Sequence, residues 1–289
     1  MVEFLDSILV LKVALKKPTA LFSVVVIALT LFMAIFAPFI TPYKDQALGE
    51  PNLSERLQPP GGKHILGTDH MGRDILSRII YGSRTSLLVG ITVVTFSGLI
   101  GMIVGIAAGY FGGIVDNLLM RFTDIFLAFP PLLLALLIAS TLGKGLGNAV
   151  LALVITWWPW YARLSRSQVL SIKTLAYVEA ARSAGVSNFM IMIRHIFPNC
   201  VTPVLVQATM DMGSAILEAA ALSFLGLGVQ PPAPDWGLMI SEGKNYFLNY
   251  WWVPTFPGLF IFLLVMSFNL LGDVLREILD PRLRRRFFL

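Results

Sequence analysis

From Thr85 to Val115 the chain runs for 31 residues without a charged side chain. A membrane-crossing helix needs about 20 apolar residues, so one stretch of this length already points to a bilayer. Two more accompany it, with 22 uncharged residues from Thr19 to Ile40 and 28 from Asn245 to Gly272. Charged residues make up only 13% of the chain, about half the share in a soluble domain. So few charges cannot cover a water-facing surface, and the class implied is an all-α integral membrane protein. The 22 basic residues lie scattered between apolar runs. That pattern suits orientation in a membrane better than contact with nucleic acid.

In chain order, residues 1–18 read as an interfacial amphipathic helix, with Phe4, Ile8, Leu11 and Leu15 opposite Glu3, Asp6, Lys12 and Lys16. Residues 19–40 form the first span, too long for a signal-peptide core. Residues 41–84 are polar and proline-rich, and are expected to be an extended external connector without a core, carrying a helix near Met71 to Tyr81. His64 and His70 stand there near Asp69 and Asp74. Without a third nitrogen or sulfur ligand, they read as solvated loop residues and not as a metal site.

A core of further spans occupies residues 85–273. Gly101, Gly105 and Gly109 recur every four residues and predict a groove for close helix packing. Pro130 and Pro131 should kink or break the third span, Ile125 to Leu142. Gly143-Lys144-Gly145 makes an external turn and lacks the Ser or Thr of a nucleotide loop. The fourth span, Leu146 to Ala162, ends in Trp157, Trp158, Trp160 and Tyr161, which read as an interfacial belt beside Arg163 and Arg166. The fifth span, Asn199 to Phe224, contains Asp211 and Glu218, seven residues apart on one helical face. Charges inside a bilayer cost at least about 2.5 kcal/mol, so both should meet protein or water. They are candidates either for packing or for lining a translocation path. Leu227 to Tyr250 is an external connector, the sixth span comes next, and residues 274–289 form a basic tail ending in Arg284, Arg285 and Arg286. Cys200, the single cysteine, has no disulfide partner and reads as a small apolar residue at a helix start.

The sizeable polar insert of the second half is residues 163–198. Leu175 to Ala184 are helix formers, and Gly185 suits the left-handed residue that closes a helix. Ser187 can cap a second helix over Asn188 to Ile196, which Pro198 prevents from running on undisturbed. Ala180, Ala181, Ala184 and Gly185 present almost no side chain, so another protein could approach the backbone closely.

Glu179-Ala180-Ala181, three residues, Gly185, and then Ile196-Phe197-Pro198 together resemble the EAA loop of ABC-importer permeases. Other blocks resemble oligopeptide and dipeptide permeases: Gly67-Thr68-Asp69, Leu222 to Gly228, and Asp280-Pro281-Arg282. The resemblance implies a type I ABC importer permease fold of six transmembrane helices with a cytoplasmic coupling helix. It implies ATPase coupling through Glu179, Ala180, Ala181, Ala184, Gly185 and Pro198. It further implies a second homologous permease, two ABC ATPase subunits that bind ATP-Mg, and an external substrate-binding protein. This chain, without a P-loop, would need no cofactor. Peptides are the implied substrates, although relatives of this kind also carry nickel or oligosaccharides. Among the basic residues, fourteen lie in segments read as internal and eight in segments read as external. That places both termini in the cytoplasm, and the resemblance implies the inner or plasma membrane of a prokaryotic cell. The alternative is an ion-coupled carrier with Asp211 and Glu218 as its relay. An enzyme is not expected, since no nucleophile–base arrangement appears.

Overall fold

The computed structural model describes residues 17–279, with side chains to Glu277. The expected amphipathic helix before Lys17, the Asp280-Pro281-Arg282 block and the arginine tail lie outside the described residues. Within them the chain is helical, without a strand: α1 Pro18–Ile40, α2 Lys44–Leu48, α3 Ile75–Phe111, α4 Gly113–Leu127, α5 Pro131–Leu142, α6 Leu146–Ile172, α7 Ala176–Ser183, α8 Asn188–Ile191, α9 Phe197–Phe224, α10 Trp236–Gly243 and α11 Trp252–Leu279.

Four helical stretches are long and apolar enough to cross a membrane: Pro18–Ile40, Ile75–Phe111, Asn188–Phe224 and Trp252–Glu277. A fifth is formed by α4 and α5 together, bent by 87° at the break before Pro131. The adjacent prolines account for the bend, because neither has an N–H to continue the helical ladder. α6 has the length to cross at 27 residues, while Arg163 and Arg166 make its second half more polar.

The expected helix near Met71 to Tyr81 begins instead at Ile75 and continues without interruption past Arg84 to Phe111. Arg84 is tolerated because α1 offers it a partner. Pro38 lies inside α1 and cannot donate to the carbonyl of Ala34. The Arg84 Nε donates to that oxygen at 2.6 Å, and its Nη2 to the Ile35 oxygen at 3.2 Å. A helix defect is thus satisfied by a cation from another helix.

Two compact units divide the chain, one with residues up to Ile91, Leu142–Val150 and from Thr209 onward, the other with Thr92–Thr141 and Leu151–Ala208. In the first unit α1 packs along α11. Its core gathers Ile75, Ile79, Ile216, Trp236, Trp252 and Leu264, and the Trp236 indole N–H donates to the Ile79 oxygen at 3.0 Å. The connector 41–84 was expected to lack a core, yet Ala47, Thr68, Asp69, Arg73 and Asp74 are all buried. Its interior is held largely by ion pairs and backbone bonds, which an apolar count does not register.

In the second unit the glycine stripe of α3 performs as its spacing predicts, and its partner is α6 of the same chain. A Cβ built at Gly109 would come within 2.8 Å of the Val169 Cβ, and Gly101 and Gly105 leave still less room against Trp158, Tyr161 and Ala162. This close approach overturns the aromatic belt. Only Trp160 is exposed, while Trp157, Trp158 and Tyr161 are buried. Phe122 and Phe126 of α4 pack on Trp158, with ring centroids at 6.0 and 5.5 Å.

Candidate functional site

The polar insert folds as its sequence dictates. α7 buries Val178 completely, while Glu179, Ala180, Ala184 and Gly185 are exposed and Ala181 is half-buried. One apolar anchor therefore holds the helix, and its small-residue face is left open. Glu179 stands in the first turn, where a carboxylate complements the helix dipole. At the other end Gly185 has φ +80°. Its N–H donates to the Arg182 oxygen at 3.0 Å and the Val186 N–H to the Ala181 oxygen at 3.1 Å. This pair of bonds is the Schellman closure, and it needs the left-handed residue that glycine supplies. Ser187 then caps α8 by accepting from the Met190 N–H.

The second short helix was expected to be disturbed by Pro198, and the disturbance takes the form of a π turn at Met192–Ile196. The Phe197 N–H reaches back five residues to the Met192 oxygen. The chain then continues straight into α9, so the insert and the fifth span form one helical run. Ile191 and Ile196 are buried, whereas Phe189, Met190, Ile193 and Phe197 are between 41% and 67% exposed. An apolar surface of this kind beside the Ala-rich helix fits a protein partner.

The insert is fastened to the end of α3. Lys173 Nζ donates to the Gly109 oxygen at 2.8 Å, and the Tyr110 hydroxyl to Asn188 Oδ1 at 2.7 Å. The Arg182 guanidinium lies 5.8 Å from the Tyr110 ring centroid. These contacts bind both short helices to the long span.

Arg163 and Arg166 form two ion pairs that their place beside a supposed belt did not suggest. Arg166 grips Asp116 with two bonds of 2.5 and 2.6 Å, and Arg163 Nη2 donates to Asp124 at 2.6 Å. Asp116 and Asp124 are eight residues apart on α4, opposite arginines three apart on α6. The helical rises differ, about 12 Å against about 4.5 Å, so the long arginine side chains bridge the difference and spacing gave no signal. With Arg121 they line an open cleft of about 500 Å³.

His64 is buried, contrary to the solvated reading. Its Nδ1 lies 2.8 Å from Asp74 and its Nε2 3.1 Å from Glu55. Lys63 and His64 hold the Glu55 carboxyl below its ordinary value of 4.5, chiefly through hydrogen bonds. Because this pKa is lowered, the stabilisation is present above about that ordinary value and is lost as pH falls through the lowered one. His70 stacks on Tyr246 at 5.7 Å. Asp69, His70 and Glu242 bring one donor atom each within 4.8 Å of one another. However, Arg73 already bonds both carboxylates, at 2.6 Å to Asp69 and 2.8 Å to Glu242. With Arg78 also 3.9 Å from Asp69, two guanidinium groups balance the two carboxylates in a salt-bridge network.

Asp211 and Glu218 are both half-buried on α9 and belong to the first unit.

A membrane-spanning chain with an exposed, glycine-closed polar helix in a loop between spans is built like the transmembrane subunit of a multi-component transporter. Residues 101–285 match the family described as binding-protein-dependent transport system inner membrane component, and the chain belongs to that family. It is therefore a permease subunit of ABC importers in a prokaryotic inner membrane. It is not an enzyme, and ATP hydrolysis resides in separate subunits that work with a substrate-binding protein. Residues 9–60 match the N-terminal TM domain of oligopeptide transport permease C. The chain is 48% identical over 278 residues to the dipeptide transport system permease protein DppC of Escherichia coli, covering 93% of this chain and 91% of that one. It is 43% identical to the probable D,D-dipeptide transport system permease protein DdpC of the same organism, over 92% of this chain and 88% of that one. Among solved structures it resembles the MetNI methionine ABC transporter at TM-score 0.57 and 20% identity, over 71% of this chain and 98% of that one. That last likeness concerns the fold alone. The ion-coupled carrier reading is set aside, since membership of this family assigns the energy source to partner ATPases.

Proposed function

We propose that this chain is one of two homologous permease subunits that together enclose a path for dipeptides or short oligopeptides, driven by two ATPases that bind ATP-Mg. The observation that carries the reading is the insert itself, an exposed small-residue helix with a glycine closure, fastened to a long span. The peptide substrate is supported by the names of the relatives. An external binding protein delivers the peptide. ATP-driven closure of the ATPases moves the contact at Glu179, Ala180, Ala181, Ala184 and Gly185, and the spans alternate their opening. The test is uptake of labelled dipeptide by proteoliposomes holding the full set of subunits with loaded binding protein. ATP-dependent uptake that excess nickel or oligosaccharide leaves unchanged supports the peptide reading, and uptake of either competitor without any of peptide overturns it.

The excess of basic residues in the segments read as internal supports cytoplasmic termini and a cytoplasmic insert. A single cysteine at Ser187, in a Cys200→Ala background, should react with an impermeant maleimide only after the cells are opened. Labelling in intact cells would reverse the topology. The position of Asp211 and Glu218 on one face of α9 supports a place on the path. Asp211→Asn with Glu218→Gln should lower transport per assembled complex by about tenfold, the effect of losing about 1.4 kcal/mol. A drop in melting temperature with unchanged uptake per complex would instead make them packing residues.

A further inference from the structure

An apolar groove lies in the first unit between α9, α10 and α11, with a volume of about 680 Å³. We propose that it holds an acyl chain of a membrane phospholipid whose phosphate sits at Lys244. Its walls include Leu217, Ala221, Phe224, Phe262, Val265 and Met266, and Asn269 at the far end is the one lining residue with a polar side chain. Leu217 and Phe262 are 52% and 59% exposed, so the groove opens sideways where a span meets lipid.

Length and depth select the occupant. Along α11 the lining extends from Gly258 to Leu270, about 18 Å at the helical rise per residue. One leaflet of a bilayer is about 15 Å of hydrocarbon. The groove is thus about as long as one leaflet is thick, and it passes the middle of the Trp252–Glu277 span before ending at Asn269 and Leu270. The upper rim carries the charge. Lys244 Nζ lies 5.0 Å from the ring centroid of Phe224, itself a wall of the groove, and the Lys244 side chain is exposed. At the same end Phe247, Leu248 and Trp251 are 54%, 93% and 51% exposed, the amphipathic dressing of the head-group level. A cation held at that depth over an apolar slot of leaflet length matches a phosphate with a chain beneath it. A helix of another protein would find the slot but no use for the ammonium. The inference requires only that α9 and α11 cross the bilayer, and is independent of the peptide reading.

Two variants separate the parts. A Cβ at Gly258 would meet only the tip of Ile240, at 3.8 Å, so Gly258→Leu fills the groove without displacing backbone. Lys244→Glu reverses the rim charge and leaves the groove intact. The complete transporter is purified, stripped in detergent and titrated with phosphatidylglycerol, and bound lipid is counted by native mass spectrometry. Lys244→Glu should weaken binding about fivefold or more, since one basic residue near an anionic surface contributes at least that factor. Gly258→Leu should remove the bound lipid. Equal lipid on wild type and both variants overturns the proposal, as does a response to Gly258→Leu alone. Should Gly258→Leu fail to assemble, a photoreactive label on Phe262→Cys reads the same question in membranes. Cross-linking to lipid supports the site, and cross-linking to another polypeptide shows that protein covers it.

Discussion

Replacing Gly185 with valine will leave an assembled transporter in the membrane that no longer hydrolyses ATP in response to loaded binding protein. The residue sits at φ +80° with no other heavy atom near its Cβ position. Space is therefore no obstacle, and the whole effect is conformational. A β-branched residue resists that left-handed geometry by about 1 kcal/mol or more, while the extended alternative breaks both Schellman bonds. The chain leaving α7 then points elsewhere, and the small-residue face of Ala180, Ala181 and Ala184 tilts away from the proposed ATPase contact. Gly185→Asn should be far milder, because asparagine visits the left-handed region more readily. Ala181→Trp should produce the same uncoupling by a separate route, by wedging the face apart. Measured as binding-protein-stimulated ATPase activity in proteoliposomes, full activity in both Gly185→Val and Ala181→Trp would remove the insert from the coupling role.

The second large effect concerns stability. Arg73 is 3% exposed and bonds Asp69 and Glu242 at once. Arg73→Met leaves two carboxylates in a largely buried site without their cation. Breaking a buried pair from one side costs about 3–5 kcal/mol, a large part of the roughly 5–15 kcal/mol that holds a typical domain. The purified complex should lose many degrees of melting temperature, or fail to accumulate. Arg163→Met is the internal control, since its pair with Asp124 is about half-exposed on both sides. A surface pair of that kind contributes about 0–1 kcal/mol. Equal melting temperatures for the two variants would show that the connector network is not structural.

Whatever depends on local chemistry is legible in the sequence. The α7 closure at Gly185, the Ser187 cap, the break at Pro130 and Pro131, and the close-packing stripe at Gly101, Gly105 and Gly109 are each written in a few adjacent residues. The coupling role proposed for the insert rests on family resemblance, because an alanine-rich helix by itself names no partner. The features that stayed hidden depend on residues far apart. Arg84 looks like the end of a connector until the carbonyl freed by Pro38, some 46 positions earlier, is placed beside it. His64 looks solvated until Asp74 and Glu55 close around it. The aromatic residues near Trp158 look like a belt because their interfacial preference is local, while the glycines that bury them belong to another helix.

The π turn at Met192–Ile196 bears on how this chain can change over time. A π turn is an α-helix that has absorbed one surplus residue without rotating the turns downstream. Pro198 stands beside it, and in plain α geometry its ring would press on the carbonyl four residues back, that of Arg194. The widened turn is what moves such carbonyls aside. Surplus residue and proline are therefore mutually dependent. Deleting one residue from the turn alone drives the proline into the ladder, and replacing the proline alone leaves a wide turn with nothing to accommodate. Losing both together restores an unbroken helix with every downstream side chain in its original direction. Lineages should keep the two or shed the two, and the intermediate with one of them is the costly step.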